Sequence, residues 1–169
     1  MNFADLIRAR QSVRAYKPAP VEEEKLQQVL EAARLAPTAA NHQPFQVIVI
    51  HTAGREQELG RIYGARFFGQ APLVLAVVGL PKKAWTRSDG KNYSDVDVAI
   101  VMDHIVLAAT DLGLGTCWIG AFNPAAARTV LGLPDDAEPI AFTPLGYPAD
   151  EPRPKKRQPL AELVRYERW

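Results

Sequence analysis

The sequence lacks most of the features that mark secreted, membrane-spanning or nucleic-acid-binding proteins. Only one of its 169 residues, Cys117, is a cysteine, which excludes an internal disulfide and is typical of a reducing cytoplasm. The 20 Lys and Arg residues nearly balance 19 Asp and Glu residues, and the net charge of +1 indicates neither a nucleic-acid nor a membrane partner. Apolar runs such as residues 73–80 are too short to span a bilayer, and the first five residues do not resemble a signal peptide. We therefore expect a cytoplasmic protein.

Metal-binding and nucleophile patterns are also missing. His42, His51 and His104 lack the spacing of metal ligands, so no metal site is predicted. Cys117 lies in an apolar run, which is more typical of a small core residue than of a nucleophile. Residues 113–120 contain Gly-x-Gly, but this loop precedes a strand instead of following one, and its third glycine is misplaced. A Rossmann dinucleotide loop is therefore excluded.

Apolar periodicity predicts alternating helices and strands in one domain, residues 1–169. Helices are predicted over residues 3–9, 21–35, 55–66, 98–112 and 124–131. Strands are predicted over residues 45–50, 73–78, 116–119 and 139–145, with 73–78 buried on both faces. The alternation indicates a layered domain of the α/β or α+β class.

Residues 10–14 form the first segment that could bind a ligand. If they are extended, Arg10, Ser12 and Arg14 share one face while Val13 and Ala15 lie on the other. Two guanidinium groups around a hydroxyl suit a phosphate monoester, because bidentate, charge-assisted contacts are strong. Solvated surface arginines are the commoner explanation of this segment alone. The same alternative applies to the basic, proline-spaced residues 153–157.

Two further segments have the composition of a flat-ligand site. Residues 36–45 place Thr38, Asn41 and Gln43 between a helix and a strand, and amide groups suit the edge of a heteroaromatic ring. Ordinary turn chemistry is the alternative explanation. Residues 113–120 are small enough to let the backbone pass close to a flat ligand.

Taken in order, these segments resemble the nitroreductase family of FMN-dependent oxidoreductases. The resemblance rests on residues 10–14, 36–45, 112–120, and 145–148 followed by 155–157, so it covers almost the whole chain. Three positions depart mildly from the family pattern, namely Gln11 for a basic residue, Thr38 for Ser and Phe45 for Trp. Residues 82–93 are short beside members with helical insertions over the active site, so substrate specificity is not implied.

The resemblance implies an α+β fold with α/β/α layers, in which helices flank a central mixed, mostly antiparallel sheet. It also implies an intertwined homodimer with two FMN sites at the interface. Phosphate and ribityl contacts are expected from Arg10, Gln11, Ser12, Arg14, Lys155 and Arg157. The isoalloxazine ring is expected to be lined by the partner's Pro37, Thr38, Ala39 and Asn41. Along the ring, mostly through backbone, the resemblance places Cys117, Trp118, Ile119 and Gly120.

The implied activity is transfer of electrons from NADH or NADPH to a nitroaromatic, a quinone or a similar small acceptor by a ping-pong mechanism. The flavin would carry the chemistry at N5, so no catalytic side chain is predicted. Two alternatives stay open: an FMN carrier or sensor without turnover, and an enzyme that consumes the flavin itself. A phosphate-binding protein without flavin would leave residues 37–45 unexplained. The apolar C-terminal residues 160–169 must bury their apolar side, which favours a partner subunit.

Overall fold

The computed structural model describes all 169 residues as seven helices and four strands, joined by short loops and two turns of 3₁₀ helix. The helices are α1 (Phe3–Ala9), α2 (Glu23–Leu35), α3 (Glu56–Ile62), α4 (Arg66–Gln70), α5 (Ser94–Asp111), α6 (Pro124–Leu131) and α7 (Leu160–Leu163). The strands are β1 (Phe45–His51), β2 (Leu73–Gly79), β3 (Gly115–Thr116) and β4 (Glu138–Gly146). No helix is both long enough and apolar enough to span a membrane.

The four strands form one sheet in the order β1-β2-β4-β3, and every pair of named strands is antiparallel. One isolated parallel bridge, between Ser12 and Thr116, adds the segment after α1 to the β3 edge. The sheet is therefore mixed but mostly antiparallel, as the resemblance implied. Central strand β2 is buried along its whole length, which confirms the prediction from its unbroken apolar run.

Two apolar cores lie on opposite faces of the sheet. Alternate residues of β2 divide between them, because successive side chains of a strand point to opposite faces. Leu75 and Val77 join the larger core with α2 and α5, whereas Val74 and Ala76 join the smaller core with α3, α4 and α6. This division produces the predicted α/β/α layers.

Two predicted elements were too long. The helix predicted over residues 55–66 is divided into α3 and α4, because the chain becomes extended at Tyr63. The strand predicted over residues 116–119 ends at Thr116. There the amide of Cys117 donates to Thr143 Oγ1 rather than to a neighbouring backbone. Pairing resumes only at Ile119, which exchanges two backbone hydrogen bonds with Phe142.

Residues 10–14 lie against the β3 edge because Val13 is buried there. The Val13 amide donates to the Thr116 carbonyl at 2.8 Å, and its side chain is 3% exposed. A Cβ added to Gly115 would lie 2.8 Å from the Val13 side chain, so only glycine permits this approach. Burial of Val13 fixes the opposite face of the segment, with Arg10, Ser12 and Arg14, toward a surface groove.

Candidate active site

The surface groove beside β3 is strongly basic. Its volume is about 250 Å³, and we call it the basic groove. It is lined by Arg10, Gln11, Ser12, Arg14, Arg153, Pro154, Lys155, Lys156 and Arg157. The structure thus brings together the two basic segments that are separated by about 140 positions in the sequence.

The cations of the basic groove have no acidic partners. None of its Arg or Lys side chains forms an ion pair, although seven ion pairs occur elsewhere in the chain. Burial, together with the charges of Arg10 and Arg157, lowers the pKa of Lys155. A groove of uncompensated cations is suited to a dianionic phosphate monoester. The residues present therefore fit the phosphate of FMN.

Backbone and side-chain hydrogen bonds join the two segments of the basic groove. Gln11 Oε1 accepts the Arg153 amide at 2.9 Å. Lys155 Nζ donates to the carbonyl of Ile7 at 2.8 Å and to that of Arg8. These carbonyls lie at the C-terminal end of α1, where a cation is favoured. The position of Lys155 is thus set by α1 as well as by its own segment.

Asp150 is a member of this region that the sequence analysis did not identify. Its Oδ2 accepts the Arg14 amide at 3.0 Å, while its Oδ1 is buried without a hydrogen-bond partner. The carboxylate holds the backbone from which the Arg14 side chain extends. No local pattern in the sequence could reveal this contact, because 136 residues separate the two positions. The basic residues 153–157 noted in the sequence include Arg153, but the sequence could not show that Arg153 lines the groove.

Cys117 lies beneath the basic groove and is 4% exposed. Burial raises the pKa of its thiol, and this effect is partly offset by Arg14, a hydrogen bond from Ser12, and Arg10. A buried thiol with a raised pKa is a poor nucleophile, consistent with the packing role expected for Cys117. Trp118 is 43% exposed, whereas Ile119 packs in the smaller core and Gly120 is exposed.

The polar segment of residues 37–44, called the 37–44 loop below, lies away from the basic groove. Its Ala39 amide donates to Asp97 Oδ1 at 2.8 Å, in the first turn of α5. The basic groove lies toward the other end of α5, where the N-terminal amine of Met1 contacts Asp111 at 2.8 Å and β3 follows. Fourteen residues of helix separate Asp97 from Asp111, which corresponds to about 21 Å.

The 37–44 loop contains Pro37, Thr38, Ala39 and Asn41, which were predicted to line the same ligand as the basic groove. Within one protomer, the structure does not bring them to the groove. None of these four residues is among those that line the basic groove.

The comparisons with known proteins agree on one family. The model of the nitroreductase family matches residues 7–65 and 61–147. A Thermus thermophilus protein named NADH dehydrogenase is 29% identical, over 92% of this chain and 91% of its own length. A Bacillus subtilis protein named FMN reductase (NAD(P)H) is 31% identical, over 88% of this chain and 66% of its own. A crystal structure of a nitroreductase family protein from Clostridium difficile 630 superposes with a TM-score of 0.90, at 43% identity and full coverage of both chains.

Proposed function

Because the chain belongs to the nitroreductase family, we propose that this FMN-dependent NAD(P)H oxidoreductase reduces a nitroaromatic, a quinone or a similar small acceptor. The observation that carries the proposal is the basic groove, whose unpaired cations fit a flavin phosphate. The name of the Bacillus relative, which includes both FMN and NAD(P)H, supports the choice of cofactor and electron donor. A cytoplasmic location belongs to the proposal, since a single cysteine suits a reducing compartment.

Each part of the proposed site has a separate role. Arg10, Ser12 and Arg14 hold the phosphate from one side, and Lys155 and Arg157 hold it from the other. Gln11 joins the two sides through its bond to the Arg153 amide. The basic groove thus anchors the cofactor by its non-reacting end, and leaves the ring to be positioned by the rest of the site.

The ring is positioned by backbone and amide groups. Residues 117–120 pass along it, while Pro37, Thr38, Ala39 and Asn41 of a second protomer line it. Bound FMN supplies hydride transfer at N5, which links NAD(P)H oxidation to reduction of the acceptor. The chain itself binds the FMN, orients its ring and shields it from solvent, and no side-chain acid or base is assigned.

A homodimer is part of the proposal and has two structural supports. The length of α5 separates the 37–44 loop from the basic groove, so one complete site requires two chains. The C-terminal arm, defined as residues 160–169, exposes Leu160, Leu163, Tyr166 and Trp169 by 74%, 61%, 86% and 104%. Such apolar exposure is typical of a surface that a partner covers.

Steady-state kinetics test the proposed activity and its ping-pong order. Purified protein loaded with FMN should oxidise NADH or NADPH when menadione or nitrofurazone is present. Double-reciprocal plots at several acceptor concentrations should give parallel lines, because the two substrates use one site in turn. Intersecting lines would exclude the ping-pong order. An FMN-loaded protein that fails to oxidise either nucleotide would contradict the enzymatic activity.

A further inference from the structure

Asp97 is a buried carboxylate that has no role in the site as described so far. It is 1% exposed and forms no ion pair. Its Oδ1 accepts the Ala39 amide at 2.8 Å, while its Oδ2 is buried without a partner. A buried carboxyl group with an unsatisfied oxygen costs folding free energy, because that oxygen has lost its hydrogen bonds to water.

The segment that Asp97 contacts has a strained backbone. Three residues of the 37–44 loop that are not glycine have positive φ angles, namely Ala40 at 51°, Asn41 at 57° and Gln43 at 50°. Side chains other than glycine are sterically disfavoured at such angles, and these conformations persist only where surrounding contacts determine them. Backbone hydrogen bonds close turns within the loop, and the Leu80 amide donates to the Pro44 carbonyl at 2.8 Å at its end. Besides the Asp97 bond, Thr38 Oγ1 accepts the Gln43 amide at 3.0 Å, and His42 Nδ1 lies 3.1 Å from the Lys83 carbonyl.

Asp97 has a rigid support. It belongs to the first turn of α5, where the positive end of the helix dipole favours a carboxylate. The side chain of Asn92 accepts the Ser94 amide at 2.9 Å and completes the start of this helix. Helix α5 provides six buried apolar residues to the larger core. A hydrogen bond from its first turn therefore connects a strained loop to the helix with the most buried residues.

We propose that Asp97 is a positioning residue that fixes the 37–44 loop in the conformation that lines the flavin ring. The inference rests on the proposed function, because the loop is assigned to the ring there. Asp97 acts through the Ala39 amide and does not itself touch the cofactor. Loss of the bond would release strain in the loop and leave Thr38 and Asn41 without a fixed orientation.

Asp97→Ala is the variant that removes the bond, and Asp97→Asn is its conservative counterpart, which keeps an acceptor oxygen. Ala39→Pro removes the donor from the loop side without altering α5. Thr38 is already extended, at φ −131° and ψ 157°, as a residue before proline requires. Asp95→Asn is the matched control, since Asp95 is exposed in the same helical turn.

Two properties of these variants are measured. One is the amide hydrogen exchange of residues 38–43 without FMN, and the other is the FMN affinity, recorded together with the visible spectrum of the bound flavin.

Asp97→Ala and Ala39→Pro should both accelerate exchange in the loop and weaken FMN binding by roughly tenfold or more. In both variants the shape of the bound-flavin spectrum should also change. Asp97→Asn should restore much of the wild-type exchange rate and of the wild-type FMN affinity. Asp95→Asn should match the wild type. Wild-type exchange and affinity in Asp97→Ala would overturn the proposal. If that variant does not fold, wild-type behaviour of Ala39→Pro overturns it instead. A wild-type protein that binds no FMN would contradict the proposed function, whereas the exchange measurements would still decide the role of Asp97.

Discussion

Individual residues of the basic groove contribute mainly charge. Arg10, Arg14, Lys155 and Arg157 lie together with no carboxylate among the lining residues. In the protein without ligand their mutual repulsion is unfavourable, and binding of an anion removes it. These side chains therefore retain the cofactor in the proposed site and take no part in the choice of electron acceptor.

Removal of the paired arginines tests this assignment. Arg14→Ala should weaken FMN binding by about 1.5–3 kcal/mol, the usual cost of losing a charge-assisted hydrogen bond, and addition of Arg10→Ala should weaken it further. Isothermal titration or fluorescence quenching gives the affinity. Arg61→Ala, which removes an exposed arginine of α3 outside the basic groove, is the matched control. Unchanged affinity in the double variant would exclude residues 10–14 as the phosphate site.

Lys155 should make the affinity of the basic groove for FMN depend on pH. Burial and the neighbouring cations Arg10 and Arg157 lower its pKa, so in the free protein it loses its proton below the ordinary lysine value of about 10.4. A phosphate monoester is already dianionic well above about pH 6, so its charge is constant in this range. FMN affinity should therefore fall as the pH rises from neutrality toward 10. Lys155→Met should bind more weakly at neutral pH and lose this decline, whereas the exposed control Lys82→Met should retain it.

At the level of the elements, the critical contact is that between β3 and residues 10–14. Gly115→Ala would place a methyl group against Val13, whose side chain is fixed by burial. We expect a loss of about 1–3 kcal/mol in unfolding free energy, which is typical of overpacking, together with weaker FMN binding. Thermal unfolding and FMN titration measure the two effects. Gly60→Ala in α3 has open space around the added methyl and should leave both unchanged or raise stability slightly.

The elements also show which parts of the structure were accessible from the sequence. The apolar period of α5 and the unbroken apolar run of β2 predicted both elements, because burial of these residues dominates their local preferences, although α5 begins at Ser94, four residues before its predicted start. The break at Tyr63 and the short β3 were missed, since distant residues hold the chain at both points. Asn123 donates its amide to the Ile62 carbonyl at 2.8 Å, and Thr143 Oγ1 accepts the Cys117 amide. Alternation around Val13 predicted which side chains of residues 10–14 share a face. The contacts of Asp150 and Asp97 could not be predicted, because their partners are distant in the sequence.

At the level of the whole molecule, the proposed FMN site combines residues of two chains. The C-terminal arm should cover part of the partner, since its apolar side chains are exposed in one protomer. Truncation after Pro159 should shift the protein from dimer toward monomer in sedimentation and reduce FMN occupancy with it. Arg34→Ala, on the exposed face of α2, should preserve both. A truncated protein that remains dimeric and fully loaded would show that other surfaces form the interface.

Subunit complementation shows whether one FMN site combines the basic groove of one chain with the 37–44 loop of another. One chain carries Arg10→Ala and Arg14→Ala, the other carries Thr38→Ala and Asn41→Ala, and two different tags allow purification of the heterodimer. Both homodimers should lose FMN. The heterodimer should retain about one FMN per dimer, because two-fold symmetry leaves one site with both intact elements and the other with neither. The flavin absorbance of the heterodimer is the measurement, and a heterodimer as poor in FMN as the two parent homodimers would exclude a site shared between chains.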